Sequence, residues 1–206
     1  MFDIVTMTSG VPVWKIIMPL ILSYLMGSIS PSIIQGKLHG VDIKKEGSGN
    51  AGTTNTLRVL GKKAALITLS VDIAKGVIAV FIGNAIGGQQ VAYLCALVVF
   101  CGHIWPCFFG FKGGKGVATA FGALLGVNWL LGITALVIVA LGVLVTQKMS
   151  VGSILGAGTF PLVCWFIEPG FIAMGTVMAV IILVKHRANI GRLIRGEEPK
   201  MSFKKK

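Results

Sequence analysis

Residues 64–83 read AALITLSVDIAKGVIAVFIG and follow two lysines, Lys62 and Lys63. As a helix this stretch would extend roughly 30 Å, which matches the hydrocarbon thickness of a lipid bilayer. Lysines next to an apolar span mark its cytoplasmic end. The segment is therefore interpreted as a transmembrane helix that begins on the cytoplasmic side.

The composition of the whole chain supports a membrane location. Its 206 residues are 54% hydrophobic and 13% charged, and its mean hydropathy is +0.85. The net charge of +12 is concentrated beside apolar segments, with 6 of the 19 Lys and Arg residues in 37–63 and 8 in 185–206. This pattern fits the positive-inside rule and anionic lipid headgroups nearby. A basic groove with interleaved aromatic residues is absent, so nucleic acid is not expected as a partner.

Apolar runs and their flanking charges predict seven transmembrane helices, at residues 14–34, 64–83, 91–109, 116–127, 129–146, 151–167 and 170–184. The fold class is an all-α integral membrane protein with the N-terminus outside and the C-terminus cytoplasmic. The fourth helix is short, roughly 18 Å, so it is either a thinned span or a helix that begins inside a cytoplasmic cavity. One domain is expected over 1–195, followed by a basic, disordered cytoplasmic tail over 196–206.

Two pairs of glycines are expected to bring helices close together. Gly122 and Gly126, and Gly152 and Gly156, each form a GxxxG face. Four cysteines lie in apolar surroundings without the spacing of a zinc site, and are interpreted as small core residues; they are Cys95, Cys101, Cys107 and Cys164.

The first polar motif, EGSGNAGTTNTLR at residues 46–58, lies between apolar spans. Its glycines allow a backbone to approach a ligand closely, its hydroxyl and amide side chains donate and accept hydrogen bonds, and Arg58 ends it with five N–H donors. These groups suit a phosphate, although an ordinary solvated loop would look the same. The match to the dinucleotide pattern GxGxxG is fortuitous, because no strand precedes Gly47 and Asp72 lies inside an apolar run.

The second motif, FKGGKG at residues 111–116, resembles an anion site. It is not a Walker loop, because Phe109 stands where Gly is required and Gly116 replaces Ser or Thr. Glycines that expose N–H groups, two lysines and a following helix N-terminus would nevertheless favour an anion. A plain basic turn is the alternative.

Further polar residues lie in or beside the apolar spans. His186, Asn189 and Arg192 are spaced three apart and would share a helix face, and Ser150 and Ser153 open the sixth span. Asp72 and Lys75 are one turn apart and predict a structural ion pair, with a second role in orienting the cytoplasmic site left open. His103 is most simply a packing histidine, and a direct role in proton transfer is the alternative. The sets at 47–58, 112–116, 150–153 and 186–189 are expected on one membrane face, where they would bind one or two phosphate groups.

These motifs together resemble the PlsY family of bacterial acylphosphate:glycerol-3-phosphate acyltransferases. The resemblance is carried by GSGNAGTTN with Arg58, by GHIWPCFFGFKGGKGVAT, by Ser153, and by His186 with Asn189, and it extends over residues 22–193. The sequence departs from the family at Ala188, where a polar or acidic residue is expected, and has Trp105 in place of a more usual Tyr.

The resemblance implies a phospholipid-synthesis enzyme of the bacterial inner membrane with its active site facing the cytoplasm. It would transfer a fatty acyl group from acyl phosphate to the 1-hydroxyl of glycerol 3-phosphate, giving lysophosphatidic acid and phosphate, with membrane lipid around it. No metal or other cofactor is implied, and a contact with the enzyme that produces the acyl phosphate is left open. By position, the catalytic residues are Lys115, Arg58, Ser48 and His186, and the substrate-binding residues are Gly49, Asn50, Thr54, Gly113, Gly114, Ser153 and Asn189.

The expected mechanism is direct attack by the glycerol hydroxyl, because no Ser-His-Asp or Cys-His set that would form an acyl-enzyme is evident. Arg58 and Lys115 would neutralise the substrate phosphates, and backbone N–H groups of Gly113 and Gly114 would support the departing phosphate. The base is either His186 or a substrate phosphate oxygen. From the residues alone two alternatives remain, an anion transporter and a metal-dependent lipid-phosphate transferase, but few carboxylates are available for the latter.

Overall fold

The computed structural model describes residues 10–201, and these residues form helices and turns without a β-strand. The chain divides into two compact units, Met1–Trp129 and Leu130–Lys206. The single domain predicted over 1–195 remains a prediction, and each unit is described by itself.

The first unit begins with a broken apolar span. Helix α1, Val13–Ser28, is followed after two residues by helix α2, Pro31–Leu38. Proline fits the first position of a helix but disfavours helical geometry in the residue before it, so α2 begins at Pro31 instead of continuing α1. The span predicted over 14–34 corresponds to the apolar segment Val13–Leu38, which consists of two helices instead of one.

Four more α-helices complete the first unit. They are α3, Thr53–Leu60; α4, Lys62–Gly87; α5, Gln89–Ile104, followed by a 3₁₀ turn at Cys107–Phe109; and α6, Val117–Val127. Helix α4 extends beyond the predicted 64–83 at both ends. The turn into α5 is a single residue, Gly88, with φ of 82°, a value that glycine adopts without steric cost.

Glycines bring α4 and α6 into backbone contact. A Cβ on Gly122 would clash with the carbonyl of Ile73, and a Cβ on Gly126 would lie 2.8 Å from Cβ of Val80. Gly76 of α4 is equally close to α6 and would place a Cβ 2.6 Å from the nitrogen of Ala123. The close packing predicted for the first GxxxG face is confirmed.

The second unit begins at Leu130, one residue into α7, Trp129–Thr146, which packs against α8, Met149–Ile167, through the other predicted glycine pair. A Cβ on Gly152 would clash with the carbonyl of Val139, and one on Gly156 would lie 2.7 Å from Cγ2 of the same valine. After a 3₁₀ turn, Pro169–Phe171, the chain forms α9, Ile172–Lys185, and α10, Arg187–Ile194. The axis bends by 54° between the last two helices.

Within the described residues, five helical segments are long and apolar enough to cross a membrane, and six if the bent pair Pro169–Lys185 and Arg187–Ile194 is one span. The five are Val13–Leu38, Lys62–Gly87, Gln89–Phe109, Trp129–Thr146 and Met149–Ile167. Helix α6 is shorter, as its sequence predicted. The all-helical, membrane-spanning class is confirmed, whereas the count of seven spans and the direction of the termini remain predictions.

The disordered tail predicted over 196–206 is wrong for its first part. Glu198 is buried, and the backbone N–H of Met201 donates to the carbonyl of Gln147 at 2.7 Å. These contacts attach residues 196–201 to the second unit. Residues 202–206 lie outside the described part of the chain.

Candidate active site

Asn55 fixes the conformation of the first glycine loop, residues 47–52. Its Nδ2 donates to the carbonyls of Ile43 and Glu46, each at 3.0 Å, and its Oδ1 accepts the N–H of Ser48 at 2.8 Å. The side chain is only 1% exposed, and a Cβ on Gly47 would clash with its amide oxygen. Both N–H donors and the oxygen of this amide are thus used to hold the loop. Sequence reasoning counted Asn55 among the polar groups of the motif but did not identify this role.

The predicted site residues of the first motif lie on its accessible side. Ser48, Gly49 and Arg58 are exposed, and Asn50 and Thr54 are half-buried. Gly49 has φ of 69°, which a side chain would make costly. The arrangement leaves hydroxyl, amide and guanidinium groups where a ligand could reach them.

The second glycine loop, residues 110–116, folds back onto the end of α5. The N–H of Gly113 donates to the carbonyl of Ile104 at 3.1 Å, and the N–H of Gly114 donates to the carbonyl of His103 at 3.2 Å. Both groups are therefore engaged within the protein, which contradicts the prediction that they support a departing phosphate. The two glycines serve close packing, because a Cβ on either residue would clash with His103. Lys115, half-buried, follows them directly.

The structure brings the two glycine loops into direct contact. A Cβ on Gly114 would lie 2.6 Å from the carbonyl oxygen of Ala51, at the end of the first loop. Nearby, Nζ of Lys44 donates to the carbonyl of Phe109 at 3.1 Å, which ties the segment before the first loop to the segment before the second. The two motifs that are expected to bind phosphate are therefore neighbours in the first unit, and their binding roles remain predictions.

Positive charge accumulates around this junction. Burial lowers the pKa of the Lys44 ammonium below its ordinary value; Asp42 opposes the shift, and Lys112 and Lys37 add to it. Nζ of Lys37 also lies 5.6 Å from the centre of the Phe109 ring. The contribution of Lys37 and Lys112 to the lowered pKa of Lys44 indicates a local excess of positive charge, which an anionic ligand would relieve.

The predicted ion pair inside α4 is confirmed. Nζ of Lys75 lies 2.8 Å from Oδ1 of Asp72, and both side chains are at least 95% buried. His103, from the end of α5, is also buried, with its Nδ1 3.2 Å from the same carboxylate oxygen. The histidine is therefore part of an ionic cluster as well as of the packing.

In the second unit, His186 occupies the junction between α9 and α10. Its Nδ1 lies 2.8 Å from the carbonyl of Ile182, and the side chain is buried. A carbonyl oxygen only accepts hydrogen bonds, so Nδ1 carries the proton and neutral His186 has its lone pair on Nε2. This tautomer is the one that a general base acting through Nε2 requires. Ser153 donates to the carbonyl of Met149 at 3.0 Å, as a helix-packing serine would.

A buried carboxylate, Glu198, organises the rest of this polar set. It accepts hydrogen bonds from Ser150 at 2.7 Å, from Asn189 at 2.6 Å and from Arg192 at 2.7 Å. Burial alone would raise its pKa, but these three donors and the charge of Arg192 hold the pKa of the carboxyl below its ordinary value. Sequence reasoning missed Glu198, because a glutamate in a polar tail carries no signal of burial. Within residues 10–201, no three His, Cys, Asp or Glu side chains are grouped as a metal site.

Comparison with known proteins gives a consistent result. Residues 17–196 match the family model described as glycerol-3-phosphate acyltransferase. A glycerol-3-phosphate acyltransferase from Thermoanaerobacter sp. (strain X514) is 43% identical over 188 residues, which is 89% of this chain and 94% of the relative. Another, from Jannaschia sp. (strain CCS1), is 40% identical over 183 residues, covering 88% and 90%.

Two solved structures have the same fold. A crystal structure of PlsY, an integral membrane glycerol 3-phosphate acyltransferase, in its glycerol 3-phosphate form has a TM-score of 0.87 and is 34% identical, covering 91% of this chain and 96% of that one. The lysophosphatidic acid form of PlsY has a TM-score of 0.84 at the same identity, covering 92% and 96%.

Proposed function

The chain belongs to the glycerol-3-phosphate acyltransferase family, and on that premise we propose that it transfers a fatty acyl group from acyl phosphate to the 1-hydroxyl of glycerol 3-phosphate. The products are lysophosphatidic acid and inorganic phosphate, in the first acylation step of bacterial phospholipid synthesis. The related PlsY structures, in glycerol 3-phosphate and lysophosphatidic acid forms, support this acceptor and this product.

The observation that carries the proposal is the contact between the two glycine loops in a lysine-rich environment. Acyl phosphate and glycerol 3-phosphate are both anions and repel each other, so a site that binds both needs cations. We assign this role to Arg58, exposed on α3, and to Lys115, half-buried after the second loop. Ser48, Asn50 and Thr54 orient the substrates through hydrogen bonds, and Gly49 lets the backbone approach them.

The proposed chemistry is a direct displacement. The oxygen of the acceptor hydroxyl bonds to the acyl carbon, the bond between that carbon and the bridging phosphate oxygen breaks, and phosphate leaves with the electron pair. The hydroxyl proton passes to a base, for which the second unit offers Nε2 of His186 and the substrates offer a phosphate oxygen. Ser153 and Asn189 are retained as proposed substrate-binding residues of the second unit.

The two glycines of the second loop receive a changed role. Since the N–H groups of Gly113 and Gly114 already donate to backbone carbonyls, stabilisation of the leaving phosphate is assigned to the Lys115 ammonium. The two glycines allow the loop to fold in this way and are assigned no direct contact with the substrate. We place the reaction at the cytoplasmic face of the bacterial inner membrane, where the basic segments lie by the positive-inside rule.

The test is to incubate the purified protein in detergent with acyl phosphate and radiolabelled glycerol 3-phosphate, without added metal. Label should appear in an organic-soluble product. Parallel reactions with acyl-coenzyme A and acyl-carrier protein test the donor, and the proposal fails if one of these, and not acyl phosphate, supports turnover. Arg58→Ala should abolish most turnover, whereas Lys63→Ala, which removes an exposed charge at the start of α4, should not.

A further inference from the structure

Three buried ionisable groups of the first unit take no part in the reaction proposed above. Asp72, Lys75 and His103 are 1%, 5% and 5% exposed. Buried charges are costly and persist where they are paired or functional. Asp72 and Lys75 neutralise each other, so charge balance does not require the histidine.

Lys75 connects this cluster to the break between α1 and α2. Its Nζ donates to the carbonyls of Gly27 at 3.0 Å and Ile29 at 2.8 Å, at the end of α1, where carbonyls lack partners within the helix. The same nitrogen lies 2.8 Å from Oδ1 of Asp72 and 3.0 Å from Nδ1 of His103. An ammonium has three hydrogens, and the two carbonyls take two of them. The third hydrogen remains for Oδ1 of Asp72 and Nδ1 of His103, so the orientation of the imidazole is coupled to the ion pair.

His103 in turn carries the second glycine loop. Its backbone carbonyl accepts the N–H of Gly114 at 3.2 Å. Its Nε2 is so close to Gly114 that a Cβ on the glycine would clash with the ring, and a Cβ on Gly113 would clash with the His103 carbonyl. One edge of the imidazole is thus held by Asp72 and Lys75, while the other edge supports the backbone immediately before Lys115.

We propose that Asp72, Lys75 and His103 form a positioning network that sets the Gly113–Gly114 backbone and thereby aims Lys115 at the phosphate substrate. This inference rests on the proposed function for the identity of the ligand. The network acts through Lys115 and touches no substrate itself. A displacement of a binding group by about 1 Å can lower turnover on the order of a hundredfold, so a modest tilt of the imidazole is sufficient for a large effect.

Two substitutions separate the edges of the imidazole. His103→Asn keeps a polar group near the Nδ1 position but leaves a gap beneath Gly114, whereas His103→Gln extends toward the Nε2 position and weakens the contact with Asp72. We expect each to lower kcat/KM for acyl transfer by about tenfold to a hundredfold. The control is Gln35→Ala, which removes a buried side chain bonded to the Ala64 carbonyl and Thr68 and destabilises the same unit without touching the loop.

Two readouts distinguish positioning from general stability. Hydrogen–deuterium exchange of residues 110–117 should rise in both histidine variants and not in Gln35→Ala. In a Lys115→Arg background, His103→Asn should reduce the remaining kcat/KM by less than about threefold. The losses are not additive because the network acts only by positioning Lys115, and the Lys115 substitution has already changed the group that is positioned. Unchanged exchange in the loop, or fully additive losses, would overturn the proposal.

The design keeps failure of the network apart from failure of the proposed function. Wild-type turnover with acyl phosphate is measured first, and its absence counts against the donor alone. The hydrogen–deuterium exchange measurement needs no substrate, so it tests the positioning network whether or not acyl phosphate supports turnover. Loss of activity that follows the melting temperature equally in the histidine variants and in Gln35→Ala would show that the cluster is only structural.

Discussion

The substitution Asn55→Ala tests the conformation of the first glycine loop. It removes three hydrogen bonds from a side chain that is 1% exposed. At about 1 kcal/mol each the bonds contribute roughly 3 kcal/mol. The groups of Ser48 and Glu46 are in exposed residues and can bind water instead, but Ile43 is only 1% exposed and its carbonyl would stay unpaired. We therefore expect the free energy of unfolding to fall by about 2–4 kcal/mol.

A matched variant, Asn55→Asp, makes the test sharper. Aspartate has nearly the same shape and can still accept the N–H of Ser48, but it directs a carboxylate oxygen at the carbonyls of Ile43 and Glu46. At neutral pH it should destabilise more than alanine does, and acidification should relieve part of the loss by protonating the carboxylate.

Unfolding in mixed detergent micelles, monitored by tryptophan fluorescence, would measure the free energy of unfolding of both variants. The acyltransfer assay at saturating substrate would report whether the first glycine loop keeps its active conformation. Loss of turnover should exceed what the fraction unfolded explains. An Asn55→Asp protein as stable as the wild type at neutral pH would refute the assignment of the two donor bonds.

Further predictions concern the second loop and the carboxylate of the second unit. Gly114→Ala should lower acyl transfer strongly and cost about 1–3 kcal/mol of stability, because its Cβ meets His103 and Ala51; Gly158→Ala, where a Cβ has open space, should change stability by less than about 0.5 kcal/mol. Lys115→Ala should lower kcat by about a hundredfold or more, as measured by steady-state kinetics at a temperature where thermal unfolding shows the variant to be folded. Glu198 has a folded pKa below its ordinary value, so its ionised form stabilises the protein at neutral pH and that contribution is lost as the pH falls through the folded pKa. Glu198→Gln should flatten this acid limb of the stability curve, and an unchanged limb would contradict the bonds described for the carboxylate.

Most of the fold was predictable because a bilayer imposes simple requirements on sequence. Membrane-length apolar runs identified the long helices, and small residues at spacing four identified two helix contacts, those of Gly122 with α4 and of Gly152 with α7. The break before Pro31 had a local signal, the proline itself, which an averaged hydropathy conceals.

The site was predictable to the level of motifs and not of contacts. The glycine loops and their basic residues are local features, so the sequence shows them directly. The bonds of Asn55 to Ile43 and Glu46 form because the segment before α3 folds back against this helix. Glu198 is buried because the C-terminal segment packs against the second unit. Likewise, the sequence of Gly113 and Gly114 permits N–H groups that face a ligand, and only the fold shows that they donate to Ile104 and His103.

The most direct test of the central claim uses acyl phosphate with oxygen-18 in the oxygen that bridges the acyl carbon and phosphorus. The purified enzyme is supplied with this donor and glycerol 3-phosphate, and both products are analysed by mass spectrometry. Direct displacement at the acyl carbon predicts one labelled inorganic phosphate for each lysophosphatidic acid formed. Absence of lysophosphatidic acid, or label retained in a fatty acid carboxylate with unlabelled phosphate, would contradict the account.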